Sequence, residues 1–289
     1  MNVGLGLPIG DPSVLLGWAR KADAGPFSTV ALLDRLVYDN PEPLVTLAMV
    51  AGATRRIRVQ TEVLLAPLRQ PALMAKQVAT LDRLSGDRLT LGIGLGARRD
   101  DYRAAGIDTH RRGARLDEVM THMRRVWSGE PYGEDIGPIG PAPARRGGPE
   151  ILFGGFTPPA IQRIARFGDG LLCASPIDDM DGLFRATEQA WRAADRAGRP
   201  RLVAQLNAAL GPDRTVDDAR GRIRRYYSGA EYTELPADYP DLVVRRMLTT
   251  PGEIRAAVDR VTDIGADEII FYCWSTDTGQ VDRFADALS

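Results

Sequence analysis

Short apolar runs alternate with amphipathic segments along the whole chain. Residues 3–7, 29–33, 57–65, 89–94, 151–153, 170–174, 202–209 and 268–272 are rich in apolar and β-branched positions and read as strands. Between them, apolar positions recur every three to four residues at 12–24, 43–54, 71–84, 112–127, 158–167, 179–197, 216–227, 250–264 and 280–288, which predicts helices. Eight strands alternating with helices predict one (β/α)8 TIM barrel over residues 1–289, with no linker dividing it. Two segments exceed what a minimal barrel needs. The Gly- and Pro-rich stretch 128–150 and the tyrosine- and acid-containing stretch 228–249 are expected as long loops, with at least one bordering the site at the carboxyl-terminal face.

That fold says where to look, because active sites on such barrels lie at the carboxyl ends of the strands. The residues there are Pro8, Asp34 with Arg35, Glu62 with Leu64, 94–98, 154–157, 174–176, Asn207 and Trp274. Glu62 stands out as a carboxylate in a strand that should be buried on both faces. Histidine and lysine are missing from the set. His110 precedes a helix, His122 lies inside one, and both lysines, Lys21 and Lys76, fall in helical patterns. A multi-ligand metal hydrolase and a Schiff-base aldolase are therefore disfavoured. A site poor in acid and base groups but rich in glycine suits a protein whose cofactor carries the chemistry.

The glycines sharpen this. Gly92, Gly94 and Gly96 end the fourth strand, where they let backbone approach a ligand; a G-x-G-x-x-G dinucleotide fingerprint would need glycine at Arg99 and does not match. Gly154 and Gly155 lead into Thr157 and Pro158, a helix start with free backbone N–H groups and partial positive charge suited to a phosphate.

Composition adds exclusions. The chain has 289 residues, 44% hydrophobic and 26% charged, with a net charge of −1. It can bury a large core, and it offers no electrostatic case for nucleic acid or anionic membrane. No apolar run has the length of a spanning helix, and no signal peptide is evident. Two separated cysteines in apolar strands argue against a disulfide framework, so a cytoplasmic location is expected.

Three segments together resemble the luciferase-like flavin-dependent oxidoreductases, the bacterial luciferase superfamily of (β/α)8 barrels. They are LLDRLVYDNPEPLVTLAMVAGATRRIRVQTEVLLAPLRQPALMAKQVATLDRLSGDRLTLGIGLG, RGARLDEVMTHMRRVWSGEPY and PEILFGGFTPPAIQRIARFGDG, with TPGEIRAAVDRVTDIGADEIIFY less distinctive. The resemblance implies a bulge at the end of the third strand, with a non-prolyl cis peptide at Glu62–Val63 beneath a flavin ring. It places the Gly94-Leu95-Gly96 turn beside the cofactor, with Arg98 and Tyr102 as polar contacts. Gly154, Gly155, Phe156 and Thr157 would hold its phosphate. Asp34-Arg35 falls where many relatives have an acid followed by a catalytic histidine, so Asp34, Arg35 and Glu62 are the candidate catalytic groups, and an imidazole base is absent.

The function implied first is a two-component monooxygenase that takes reduced FMN from a separate flavin reductase and uses dioxygen on a small organic substrate. The alternative is hydride transfer with the deazaflavin coenzyme F420 on the same fold, and a further one is a non-catalytic flavin-binding protein. The apolar surface of PEPLVTLAMVAGAT suits either a homodimer interface or the barrel wall alone.

Overall fold

The computed structural model describes residues 1–228 and 235–289. Part of the expected loop 228–249 thus lies outside the described residues. Strands β1 (Asn2–Gly6), β2 (Thr29–Leu32), β3 (Arg58–Thr61), β4 (Leu64–Leu65), β5 (Leu89–Gly94), β6 (Glu150–Gly154), β7 (Gly170–Cys173), β8 (Arg201–Ala208) and β9 (Glu268–Cys273) are all parallel. Their order is β3-β2-β1-β9-β8-β7-β6-β5-β4, and a further β3–β5 pairing closes the sheet into a barrel. β3 and β4 are two runs of one stave, so the barrel has eight.

The expected single strand 57–65 is broken for a geometric reason. Gln60 is level with Thr90, and Leu64 is level with Ile93. Four steps on the third stave match three on its neighbour, so one extra residue bulges out of the ladder. The break falls at Glu62-Val63, whose peptide bond is cis.

Alternation along the staves fills the interior in layers. At the amino end, inward side chains are charged or polar: Thr29, Arg58, Thr90, Glu150, Arg201 and Glu268 bond to one another. Above them Ala31, Leu152, Leu172, Val203 and Ile270 form a small apolar cluster against which Val63 packs. β1 contributes no inward bulk because β9 takes the space: a Cβ on Gly6 would lie 2.3 Å from the Tyr272 ring. Outside the barrel, the helices bury a second and larger core, including Trp18, Phe27, Phe184 and Phe284. Cys173 and Cys273 are buried, unbridged thiols.

The helix caps follow the sequence. Thr250 and Glu253 form a reciprocal capping box at Pro251–Asp263. Gln70 caps Pro71–Ser85, which ends at the left-handed Gly86. On the outer face of Pro43–Ala53 and its neighbour Pro71–Ser85, Val45, Met49 and Leu73 are exposed.

The expected loop 128–150 runs away from the carboxyl-terminal face. Lys76 donates to the Gly140 carbonyl at 2.8 Å, Ala144 N donates to Asp82 at 2.7 Å, and Arg145 pairs with Asp87. These contacts strap the segment to the flank of Pro71–Ser85, and none of its residues reaches the cavity described below. Leu235, from the other loop, does.

Candidate active site

A cavity of about 500 Å³ opens at the carboxyl-terminal face of the barrel. Of the sequence-predicted residues it brings together Arg35, Glu62, Val63, the Gly94-Leu95-Gly96 turn and residues 154–157. Asp34, Arg98 and Tyr102 lie behind that wall.

The floor is the bulge of the third stave. The Val63 side chain projects toward β5 and β6, and glycine makes room for it. A Cβ on Gly94 would sit 2.4 Å from Val63 Cγ2, and one on Gly154 would sit 2.9 Å from Cγ1. These glycines serve the packing of the bulge first, a role their sequence context alone assigned to ligand approach.

Asp34 secures the same region from outside the cavity. Its Oδ2 accepts from Leu65 N at 2.9 Å and from Arg69 at 2.9 Å. It is buried at 7% exposure and holds the chain as it resumes pairing after the bulge. Tyr102 plays the matching part for the next turn: its hydroxyl donates to the Leu95 carbonyl, and burial pushes its pKa up to about 12. Arg98 is paired with Asp100, Nε to Oδ1 at 3.0 Å. Each supports the wall instead of touching the cavity, because its polar atoms are turned to protein partners.

Glu62 is the unusual group. It is 7% exposed; Oε2 accepts from Gln60 Nε2 at 3.1 Å, while Oε1 has no hydrogen-bond partner among the described residues. No cation among the described residues faces it in compensation. Burial pushes its pKa up to about 8, with Glu268 adding repulsion from below and the Gln60 bond acting in the opposite direction. Burial therefore favours the protonated carboxyl.

Arg35, also on the wall, is held on two sides. Its Nε donates to the Tyr226 hydroxyl at 2.6 Å and Nη1 pairs with the fully buried Asp101 at 3.3 Å. The guanidinium lies 5.0 Å from the Tyr226 ring centroid.

At the opposite end, residues 154–157 lead into helix Pro158–Phe167. The expected anion site there needs a correction. Pro158 and Pro159 have no N–H, and Ala160 N is used by the Thr157 carbonyl at 2.9 Å, so the first helical turn offers no free donor. The donors left are the N–H groups of Phe156 and Thr157, which bond to no described residue, and the Thr157 hydroxyl, which makes no cap. Two arginines unnoticed in the sequence complete the cluster. Arg112 makes no side-chain hydrogen bond or ion pair to any described residue, and Arg163 is oriented by Asp117 at 2.7 Å. A Cβ at Gly155 would fall 2.7 Å from that of Ala160, so a larger residue would close the cradle.

Sequence reasoning also missed Tyr226, Tyr227, Gln205 and Tyr272, which line the cavity. Tyr272 accepts from Leu33 N at 3.1 Å and is fully buried, which drives its pKa well up. Strand alternation marks Gln205 and Tyr272 as inward-facing; nothing comparable marks Tyr226 and Tyr227, which end a helix and arrive through tertiary packing. No group of His, Cys, Asp or Glu among the described residues is arranged to hold a metal ion, and no described helix is long and apolar enough to cross a membrane.

A barrel with a bulged third stave and a cradle after the fifth defines a class. A profile of the family described as luciferase-like monooxygenase matches residues 3–288, and the chain belongs to that family of oxidoreductases. It is 31% identical over 209 residues to the uncharacterised protein Rv0953c of Mycobacterium tuberculosis, covering 64% of this chain and 74% of that one. It is 26% identical over 303 residues to the F420-dependent glucose-6-phosphate dehydrogenase of Tsukamurella paurometabola, covering 90% and 88%. Among solved structures, the monooxygenase RslO1 from Streptomyces bottropensis superposes with a TM-score of 0.82 at 23% identity, over 100% of this chain and 98% of that one.

Proposed function

We propose that this chain is a deazaflavin-dependent oxidoreductase that interconverts a carbonyl and an alcohol on a small organic substrate, with coenzyme F420 as its cofactor. The observation that carries the reading is Glu62, a buried carboxyl in the cavity wall with one oxygen unpartnered among the described residues, where burial favours the protonated form. The similarity to an F420-dependent dehydrogenase over most of the chain supports it, and on that support we rank F420 ahead of the FMN that the sequence put first.

The residues fit such a cofactor. Phe156 N, Thr157 N, the Thr157 hydroxyl, Arg112 and Arg163 form a donor set for a phosphate, in a cradle that a Cβ at Gly155 would fill. Val63, Gly94 and Gly154 give a flat apolar wall for a ring. When bound, the reduced cofactor supplies a hydride. Glu62 would hold and give the proton that the substrate oxygen gains as a carbonyl becomes an alcohol. Water then returns a proton to the carboxylate. In the opposite direction Glu62 is the base. Positioned proton transfer of this kind is worth roughly 10² to 10⁴ in rate.

A second reading, monooxygenation with reduced FMN from a separate reductase, is favoured by the apolar walls, which keep water from a reactive centre. Titrating the full chain with oxidised F420 and with FMN, followed by tryptophan fluorescence, separates the two. Tighter binding of F420 is expected. Binding of FMN alone returns the monooxygenase, and binding of neither overturns both.

A further inference from the structure

The cavity has two chemically different ends. One carries Arg112, Arg163 and the loop donors described above. The other is aromatic: Tyr226 lies 5.0 Å from Trp274 and 4.9 Å from Tyr227, centroid to centroid.

Among the described residues, polar groups at the aromatic end are almost all committed to protein partners. Trp274 Nε1 donates to Asn207 Oδ1 at 2.7 Å, and Arg35 is shared between Tyr226 and Asp101. Gln205 is the exception. It sits on β8 two residues before Asn207, so it shares that residue's face. It lines the cavity, and its amide has no hydrogen-bond partner among the described residues. An amide left open in an otherwise satisfied wall is a group turned to a ligand. An anion would fare badly here, because the charge of Arg35 is already matched by Asp101 and burial would leave the newcomer uncompensated.

We propose that the aromatic end binds an uncharged substrate with a flat aromatic body and a single carbonyl or hydroxyl group. The body lies against Tyr226, Tyr227 and Trp274, and the oxygen meets the Gln205 amide. This substrate class rests on the carbonyl–alcohol reading of the site. Gln205 is the specificity determinant, since it rewards the oxygen and gives nothing to a hydrocarbon.

The test titrates 2-acetylnaphthalene, 2-ethylnaphthalene and 2-naphthoate into the full chain, with and without oxidised F420, by calorimetry. The ketone is expected to bind about tenfold more tightly than the hydrocarbon. Gln205→Leu should erase that ratio while leaving the hydrocarbon's affinity unchanged, and Trp274→Ala should weaken both probes. Gln205→Met repeats the measurement if leucine disturbs the strand. Naphthoate binding as tightly as the ketone, or a ratio that survives both Gln205 variants, overturns the proposal. F420 binding without ketone binding overturns the substrate class alone; ketone binding without F420 binding overturns the cofactor reading alone.

Discussion

Both ends of the barrel interior carry an inward-facing glutamate, and the two are treated in opposite ways. At the amino end, Glu268 is fully buried yet surrounded by partners: Arg201, the Ser28 hydroxyl and Thr29 Oγ1 at 2.8 Å. Glu150 and Arg58 extend the network. At the carboxyl end, Glu62 has one amide donor and an unpartnered oxygen. A buried acid with a cation is a structural plug, whereas one without a cation keeps its proton and is available for chemistry.

The comparison breaks first if the plug can be removed cheaply. Glu268→Ala leaves Arg201 with Glu150 as its remaining carboxylate and takes the acceptor from the Ser28 and Thr29 hydroxyls. It should lower the unfolding free energy by roughly 2 to 4 kcal/mol in denaturant titrations. A loss below about 1 kcal/mol would mean that the network is not structural.

Glu62→Gln should do the reverse. It replaces a neutral acid by a neutral amide, so the fold persists, while kcat falls about a hundredfold with KM little changed. Its effect on pH dependence has a definite sign. The folded pKa of about 8 lies above the ordinary value of 4.5, so the native state holds a proton that the unfolded chain has lost. The associated stability is fully present below about pH 4.5 and is lost as pH rises through about 8, on the order of a few kcal/mol in all. Thermal unfolding across that window should slope downward in the parent protein, and the glutamine variant should lose that part of the slope.

Smaller effects refine the division between wall and support. Asp34→Ala removes the acceptor for Leu65 N and should cost roughly 1 to 3 kcal/mol of stability, against a catalytic role read from its place in the sequence. Arg112→Ala should weaken cofactor binding about tenfold with the unfolding midpoint unchanged, and the loss should shrink at high salt.

Much of this was legible in the chain. The eight staves follow from periodicity, and Glu62 announced itself as a carboxylate in a run that burial should have made apolar. The break at Glu62-Val63 was expected from the resemblance to the family, since apolar pattern alone does not reveal an extra residue in a ladder. The phosphate cradle was half visible: the loop 154–157 is local, but Pro159 removes a donor, and Arg112 and Arg163 come from helices whose exposed faces look like any solvated arginine-rich surface. Tyr226 and Tyr227 were out of reach because helix periodicity records which face is buried and not what it is buried against. The expectation that at least one long loop borders the cavity is met by Leu235, while for 128–150 length and glycine content marked an irregular path without saying which end of the barrel it follows.

The most direct test of the contrast between the two glutamates is infrared difference spectroscopy of the cofactor-free protein as pH is raised from 6 to 9, comparing the parent with Glu62→Gln. The account predicts a carboxylic-acid C=O band at neutral pH that disappears with a midpoint near 8 and is missing in the variant. A parent spectrum with no such band at pH 6, or a band that survives the substitution, would contradict it.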